Sequence, residues 1–243
     1  MELTKHEYEQ ILFVVEELAV KQMIMDLEQY RREVLNVFSN ILGYSQSLFW
    51  VTDENQKLAN PVTFNVDMQA LHDYQQYFYQ FDYLQPENLK RKSSVQSIKS
   101  VVPFAQYLTT DYYHLFMKKN RLLDQMAIYL EYQGELIGVI GLVRNADEET
   151  FNPRDFIKLN FLVKQVESGF NMQRLLTANR SDPSLLTERE REIVDLLVRG
   201  LKNIEIAEQL YISENTVKKH LQNLYRKFDT SSRTELLFRL RGM

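Results

Sequence analysis

From Lys5 to Leu42 the chain contains neither proline nor glycine, and its apolar residues recur at helical steps. Met23, Leu27, Tyr30, Val34, Val37 and Ile41 follow one another by fours and threes on a single stripe, while Ile11, Val14, Val15 and Leu18 form an earlier stripe out of step with it. The spacing predicts one long helix or two in succession, packed on a core in preference to forming a coiled-coil seam, which sustains about three or more heptads. After Gly43 the period changes to that of strands: Leu48, Phe49, Trp50 and Val51 are aromatic or aliphatic and run into the turn-rich segment Asp53 to Gln56, and Val62 to Val66 is a second candidate. Asp67 suits the cap of a helix running to about Phe81, with Met68, Leu71, Tyr74, Tyr77, Phe78 and Phe81 as its apolar and aromatic positions. Lys90 to Ser100 reads as a loop, and Thr110-Asp111 opens a short helix through Phe116.

The clearest strand pair is Gln125 to Gln133 with Leu136 to Arg144, joined at Gly134-Glu135 as a tight hairpin. Gly138 and Gly141 lie inside its second strand without the strand-to-helix context of a phosphate loop, so close packing of a neighbouring element accounts for them. Asn152 at a cap and Pro153 at the first helical position then start a helix with Phe156, Leu159, Val163, Val166 and Phe170 on one face. This order describes an α+β domain over residues 1–176, an antiparallel sheet covered by helices, followed by a polar linker at 177–185 that includes Pro183.

Beyond Leu186 the pattern is helical throughout. Thr187 caps a helix that stops at Gly200, Asn203 starts a short second helix, and Tyr211-Ile212-Ser213 turns into a third over about 214–228. In that third helix Val217, Leu221, Leu224 and Phe228 step by four, three and four, so the first face is apolar; Lys218, Lys219, Gln222, Asn223 and Arg226 project from the other. Two helices joined by so short a turn make a helix-turn-helix, and lysine and amide side chains can address base edges, while Thr216 near the helix start suits a phosphate. A merely solvated amphipathic helix is the competing reading.

Charge and composition sharpen this only slightly. The formal net charge is -4; residues 182–243 carry 11 Lys+Arg against 10 Asp+Glu, leaving -5 for the first 181 residues, so a nucleic-acid role rests on where the cations sit. With 0 Cys there is no disulfide, thiolate metal site or cysteine nucleophile, which suits a reducing cytosol. The first residues lack the basic and apolar runs of a signal peptide, no apolar run approaches the roughly 20 residues of a membrane helix, and the expected location is cytoplasmic. His6, His72, His114 and His220 are scattered, no glycine-rich phosphate loop precedes a helix and no serine sits in a nucleophile turn, so neither an enzyme nor a bound cofactor or metal is expected.

Residues 186–243 closely resemble the LuxR-type (NarL/FixJ-type) helix-turn-helix domain, through Leu-Thr-Glu-Arg-Glu-Arg-Glu-Ile at 186–193, Gly200, Asn-Ile-Glu-Ile-Ala at 203–207 and Ile-Ser-Glu-Asn-Thr-Val-Lys-Lys-His at 212–220. The resemblance implies a four-helix unit whose third helix enters the major groove of double-stranded DNA and whose fourth, about Arg233 to Leu240, helps dimerisation. By position Lys218, Lys219 and Gln222 inherit base contacts and Thr216 a phosphate contact. Lys202 and Ile204 depart from the residues common at their positions, which alters the charge facing the backbone, and His220 goes to helix packing or a phosphate. Dimerisation is also expected through the stripe from Met23 to Ile41 with its partner from Phe156 to Phe170.

The first domain lacks the pattern of a phosphate-accepting receiver. The segments Tyr79 to Pro86, Asp111 to Phe116, Gly134 to Gly141 and Phe151-Asn152 resemble a GAF-like sensor, which implies an α/β/α fold responding to a small molecule or a protein. Acyl-homoserine-lactone sensors have a related fold, and Tyr74 to Asp82 partly matches their Tyr and Asp spacing, without the tryptophan that precedes it there. Trp50, Tyr77, Phe81 and Tyr83 could shape an aromatic pocket with Asp82 as its polar anchor, although Asp82 could equally cap a turn before Pro86 and the rings could simply fill a core. The expected protein is a dimeric transcriptional regulator controlled by a signal in its first domain; the alternatives are an acyl-homoserine-lactone-type quorum-sensing regulator and a regulator controlled by a partner protein.

Overall fold

The computed structural model describes residues 2–22, 24–89, 93–180, 186–228, 230 and 232–240. Met23, residues 90–92 of the expected loop and residues 181–185 of the expected linker lie outside this set. The chain divides into two compact units, Met1–Gln173 and Arg174–Met243.

The first unit opens with α1 (Lys5–Lys21) and α2 (Leu27–Leu42), two helices where the stripe also allowed one. Each starts with a capping box, Thr4 with Glu7 and Asp26 with Gln29, in which side chain and backbone satisfy each other's end groups. Strands β1 (Gln46–Thr52) and β2 (Leu58–Phe64) follow, then α3 (Met68–Gln76), β3 (Val95–Ser97), the single turns α4 (Ile98–Val101) and α5 (Phe104–Tyr107), β4 (Leu122–Tyr132), β5 (Glu135–Asn145) and α6 (Pro153–Arg180). The five strands form one antiparallel sheet in the order β2-β1-β5-β4-β3.

Alternation along β4 divides the sheet between two cores. Met126, Ile128 and Leu130 join Tyr30, Val34, Phe38, Val163 and Phe170 beneath α1, α2 and α6, whereas Ala127 and Tyr129 join Ile98, Tyr107, Phe116 and Met117 on the opposite face. The expected α/β/α layering with an antiparallel sheet is thus the observed one. Arg31 of α2 is buried and donates from Nη1 to the Phe49 carbonyl at 3.2 Å and the Asn60 carbonyl at 2.6 Å, tying the helix layer to β1 and to the edge strand β2.

Several expectations need correcting. Tyr30, Val34 and Val37 of the α2 stripe, and Val163, Val166 and Phe170 of α6, are core residues of the monomer, so that stripe is not open to a second copy. β2 runs Leu58–Phe64 where Val62 to Val66 was expected, and it contains Pro61, whose missing donor an edge strand tolerates. The helix from Asp67 ends at Gln76, and a 3-10 turn, Phe78–Phe81, follows. Only Leu71 of its six predicted apolar positions is fully buried. The hairpin turn is Gln133-Gly134, not Gly134-Glu135: φ is 53° and 85° at these two residues, the paired left-handed geometry that matches the strands' twist. α6 continues through Arg180, so residues 177–180 of the expected linker are helical. Nothing between Thr177 and Arg180 is a proline or glycine that would stop it.

A Cβ built on Gly138 would lie 2.7 Å from the Trp50 carbonyl oxygen and 3.0 Å from the Phe170 ring, as close packing requires, but on Gly141 it would meet only Leu48 at 3.8 Å. The absent side chain of Gly141 instead leaves space on the face opposite α6.

The second unit contains α7 (Glu188–Val198), α8 (Asn203–Gln209), α9 (Glu214–Phe228) and α10 (Arg233–Leu240) around Ile193, Leu197, Ile206, Val217, Leu224 and Leu236. Thr187 and Glu190 form the capping box of α7, and Gly200 ends that helix in the left-handed conformation. Glu190 is buried and accepts from Lys227 Nζ at 2.7 Å, joining α7 to α9. Burial alone would raise its pKa, but the Lys227 ammonium and the Thr187 backbone and hydroxyl donors hold it below the usual carboxylate range. The unfolded chain then binds more protons, so the stabilisation is present above about pH 4.3 and is lost as pH falls through and below it. Glu190→Gln keeps the box, which accepts Gln, and loses the charge. It is expected to cost about 1 kcal/mol at neutral pH. Helix melting followed between neutral pH and pH 3 should show a shallower loss for the variant than for the parent.

Candidate functional site

Within the second unit, α8 ends where Tyr211 takes φ of 53°, Ile212 N–H returns to the Ala207 carbonyl at 3.0 Å, and the chain enters α9. Ser213 caps α9: its Oγ accepts from Thr216 N–H at 3.1 Å and lies 2.8 Å from Thr216 Oγ1. Val217, Leu221, Leu224 and Phe228 bury one face, which fixes the rotation of the helix. The exposed face then carries Asn215, Lys218, Lys219, Gln222 and Arg226 at helical spacing.

Of the expected nucleic-acid residues, Lys218, Lys219, Gln222 and Arg226 share this face, whereas Thr216 and Asn223 lie at its borders and Lys202 is not on α9. Lys218 Nζ pairs with Glu214 one turn earlier at 2.9 Å, and Arg226 donates to Asn223 Oδ1 at 2.8 Å, with Asn223 partly buried. Thr216 is half-buried against the cap. Lys202, on α8's side of the turn, lines a shallow depression with Asn203, Glu214 and Arg233. Arg233 sets that corner by donating to the Leu201 carbonyl at 2.5 Å and to Asn203 Oδ1 at 3.3 Å. Sequence reasoning passed over Asn215, although it stands four residues before Lys219 on the same face, and over Arg233, which no local spacing connects to Asn203.

In the first unit, the five residues expected around one ligand divide between two hollows. Trp50 and Asp82 line a cavity of about 90 Å3 beneath the sheet, together with Tyr74, Gln85, Phe116 and Gly141. Tyr77, Phe81 and Tyr83 line a separate hollow of about 250 Å3 with Phe78, Asp111 and Tyr112. Asp82 holds the turn through Oδ1, which accepts from Leu84 N–H at 2.8 Å, and its Oδ2 accepts from Tyr74 Oη at 2.8 Å at the cavity wall. Burial raises the Asp82 carboxyl pKa against the opposing pull of those two donors. Gln85 is also buried, and its Oε1 has no hydrogen-bond partner among the described residues. The cavity thus presents acceptors inside an aromatic and aliphatic wall.

Among the described residues, no group of His, Cys, Asp and Glu is arranged to hold a metal ion, and no helix is long and apolar enough to cross a membrane.

Residues 184–239 match the family described as bacterial regulatory proteins, luxR family. The "Monoamine regulon transcriptional regulator" of Klebsiella aerogenes is 27% identical over 205 residues, spanning 84% of this chain and 87% of that protein. The "CsgBAC operon transcriptional regulatory protein" of Escherichia coli K12 is 51% identical over 57 residues, 24% of this chain and 26% of the relative. Among solved structures, Escherichia coli SdiA aligns with a TM-score of 0.48 at 20% identity, covering 93% of this chain and 95% of that one. A GAF domain/HD domain protein from Geobacter sulfurreducens aligns with a TM-score of 0.47 at 12% identity, covering 62% and 95%.

Proposed function

We propose that this chain, a DNA-binding transcriptional regulator whose C-terminal domain is a LuxR-family helix-turn-helix, binds promoter DNA as a dimer and takes its signal in the cavity beside Asp82. The observation that carries the DNA reading is the exposed row Lys218, Lys219, Gln222 and Arg226 on α9, opposite a face fixed by Val217, Leu221 and Leu224. In the major groove lysine reaches guanine acceptors and glutamine addresses adenine through a donor and an acceptor, while Thr216 and Lys202 approach the phosphates. Two such helices in a dimer read half-sites about 10 base pairs apart, centre to centre.

For the dimer, α1 and α6 supply apolar surface that the monomer leaves exposed. Leu12 is 63% exposed, Phe161 is 55% exposed, Phe13 is exposed beside them, and Tyr8 packs edge-on against Phe161 with ring centroids 6.1 Å apart. Pairing raises the effective concentration of the second reading helix, which a domain of almost balanced charge needs. The cavity favours a compact ligand with an N–H donor for Asp82 and Gln85. Benzene occupies a cavity of about 150 Å3, so about 90 Å3 does not accommodate a long acyl chain unless the walls part.

Selection of genomic fragments by the full chain, followed by sedimentation and binding assays, tests this reading. The parent is expected to sediment as a dimer at micromolar concentration and to select a sequence with repeated half-sites. Leu12→Glu with Phe161→Glu is expected to give a folded monomer with about tenfold or greater loss of affinity for the paired site. A parent that is monomeric, or that selects no sequence, would remove the proposal.

A further inference from the structure

The outer hollow of the first unit is unlike the Asp82 cavity in its chemistry. Its walls are Tyr77, Phe78, Phe81, Tyr83 and Tyr112, with the Asp111 carboxylate at its border. The rings do not stack flat on one another. Tyr77 and Phe78 are inclined by 86° at 5.1 Å, Tyr77 and Phe81 by 54° at 5.3 Å, and Tyr83 and Tyr112 by 65° at 6.5 Å, so neighbouring rings around the hollow meet at steep angles. Two of them remain open to solvent, Tyr77 at 54% and Phe81 at 46%. The Asp111 side chain is exposed, and no ion pair or side-chain hydrogen bond joins it to the described residues. Neither lysine nor arginine lines the hollow among those residues.

An aromatic ring is negative over its face, and several rings around one space attract a cation that sheds water easily. A metal ion of low charge would keep its hydration shell and gain little from the rings; an anion would meet Asp111 and the ring faces with the wrong sign. A neutral apolar group would fill the space and leave Asp111 without a counter-charge. An ammonium group carrying methyl or alkyl substituents answers both features, because its carbon surface packs on the rings while its charge faces Asp111.

We propose that this hollow is a binding site for an organic cation of the substituted-ammonium class, held by the rings of Tyr77, Phe81 and Tyr83 with Asp111 as counter-charge. The site is independent of the Asp82 cavity, but the two share a wall. Phe116 lines the inner cavity and packs on Phe78 at 4.9 Å and on Tyr112 at 5.6 Å. The backbone behind it, Tyr113–Met117, is a π-helical turn, a form that inserts one extra residue and recurs at ligand sites. A cation in the outer hollow would bear on the inner cavity through that ring stack.

Calorimetric titration of the full chain with choline, and separately with its neutral isostere 3,3-dimethylbutan-1-ol, tests the assignment. The two probes have the same shape and differ in charge, so choline is expected to bind about tenfold or more tightly than the alcohol. Asp111→Asn and Tyr77→Leu change exposed side chains, and each is expected to weaken choline about fivefold or more while leaving the unfolding temperature of the protein unchanged. Asp82→Asn, which keeps an oxygen for Leu84 N–H and removes the charge at the inner wall, is expected to change choline affinity by no more than about twofold. Equal affinity for the two probes would make the hollow an uncharged apolar patch and overturn the proposal. So would choline binding that survives Asp111→Asn and Tyr77→Leu but disappears with Asp82→Asn, and so would the absence of saturable choline binding at millimolar concentration.

Discussion

Replacing Lys218 and Gln222 together by alanine is expected to weaken binding to a selected promoter fragment by about tenfold or more, since each lost bidentate contact to a base is worth about 1 to 3 kcal/mol. Both side chains are exposed on α9, and neither touches the row Val217, Leu221, Leu224 and Phe228 that holds the helix in the domain. The variant should therefore melt like the parent, and its loss should appear as poorer discrimination between the selected sequence and random DNA. Lys218 carries a further nuance. Its pairing with Glu214 at 2.9 Å is an exposed i, i+4 contact of small energy, which a guanine can displace at little cost. Unchanged affinity and unchanged selectivity in an electrophoretic titration would show that α9 does not lie in the groove as proposed.

The second large effect concerns the junction of α2 and α6. A Cβ built on Gly169 would lie 2.1 Å from Tyr30 Oη and 2.9 Å from Gln22 Oε1, far inside any contact distance. Tyr30 is fully buried and cannot swing aside, so Gly169→Ala is expected to destabilise the first domain by about 3 kcal/mol, at the upper end of overpacking effects. The phenol that obstructs it contributes nothing obvious in return: Tyr30 Oη has no hydrogen-bond partner among the described residues, and burial pushes its pKa far up. Tyr30→Phe alone should be close to neutral, and combined with Gly169→Ala it should recover part of the loss. Chemical denaturation of the four proteins gives the coupling directly. A fully stable Gly169→Ala would mean that α2 and α6 separate more easily than this packing implies.

Much of the α9 face proposed to bind DNA was legible because its signals are local. The caps at Thr187 and Ser213, the stop at Gly200 and the steps from Val217 to Phe228 each depend on residues within a few positions of one another. The hairpin of β4 and β5 was equally plain, though its turn lay one residue earlier, because Gln133 accepts a left-handed backbone that the residue type alone does not announce. Asp26 with Gln29 was a readable helix start that the continuous stripe concealed. β3 was not legible, since three residues are too few to show alternation and Val95 to Ser97 becomes a strand only by lying beside Met126 to Ile128. The division of the aromatic residues between two hollows also escaped the sequence. It depends on α3 ending at Gln76, which turns Tyr77 and Phe81 outward while Tyr74 and Asp82 meet at the inner wall.

The strand order has a consequence for how the chain is made. β1 pairs with its neighbour β2 almost as soon as both exist, but its other edge belongs to β5, where Gln46 meets Val143. During synthesis the N-terminal strands and α2 emerge with that edge open, and it stays open until nearly the whole first domain has left the ribosome. Contacts so distant in sequence form slowly because the intervening loop must be closed first, whereas the β4-β5 hairpin can form locally and then offer β5 to the waiting strand. The interval in which β1 is exposed is the stage at which the nascent chain is most prone to pair with the wrong partner.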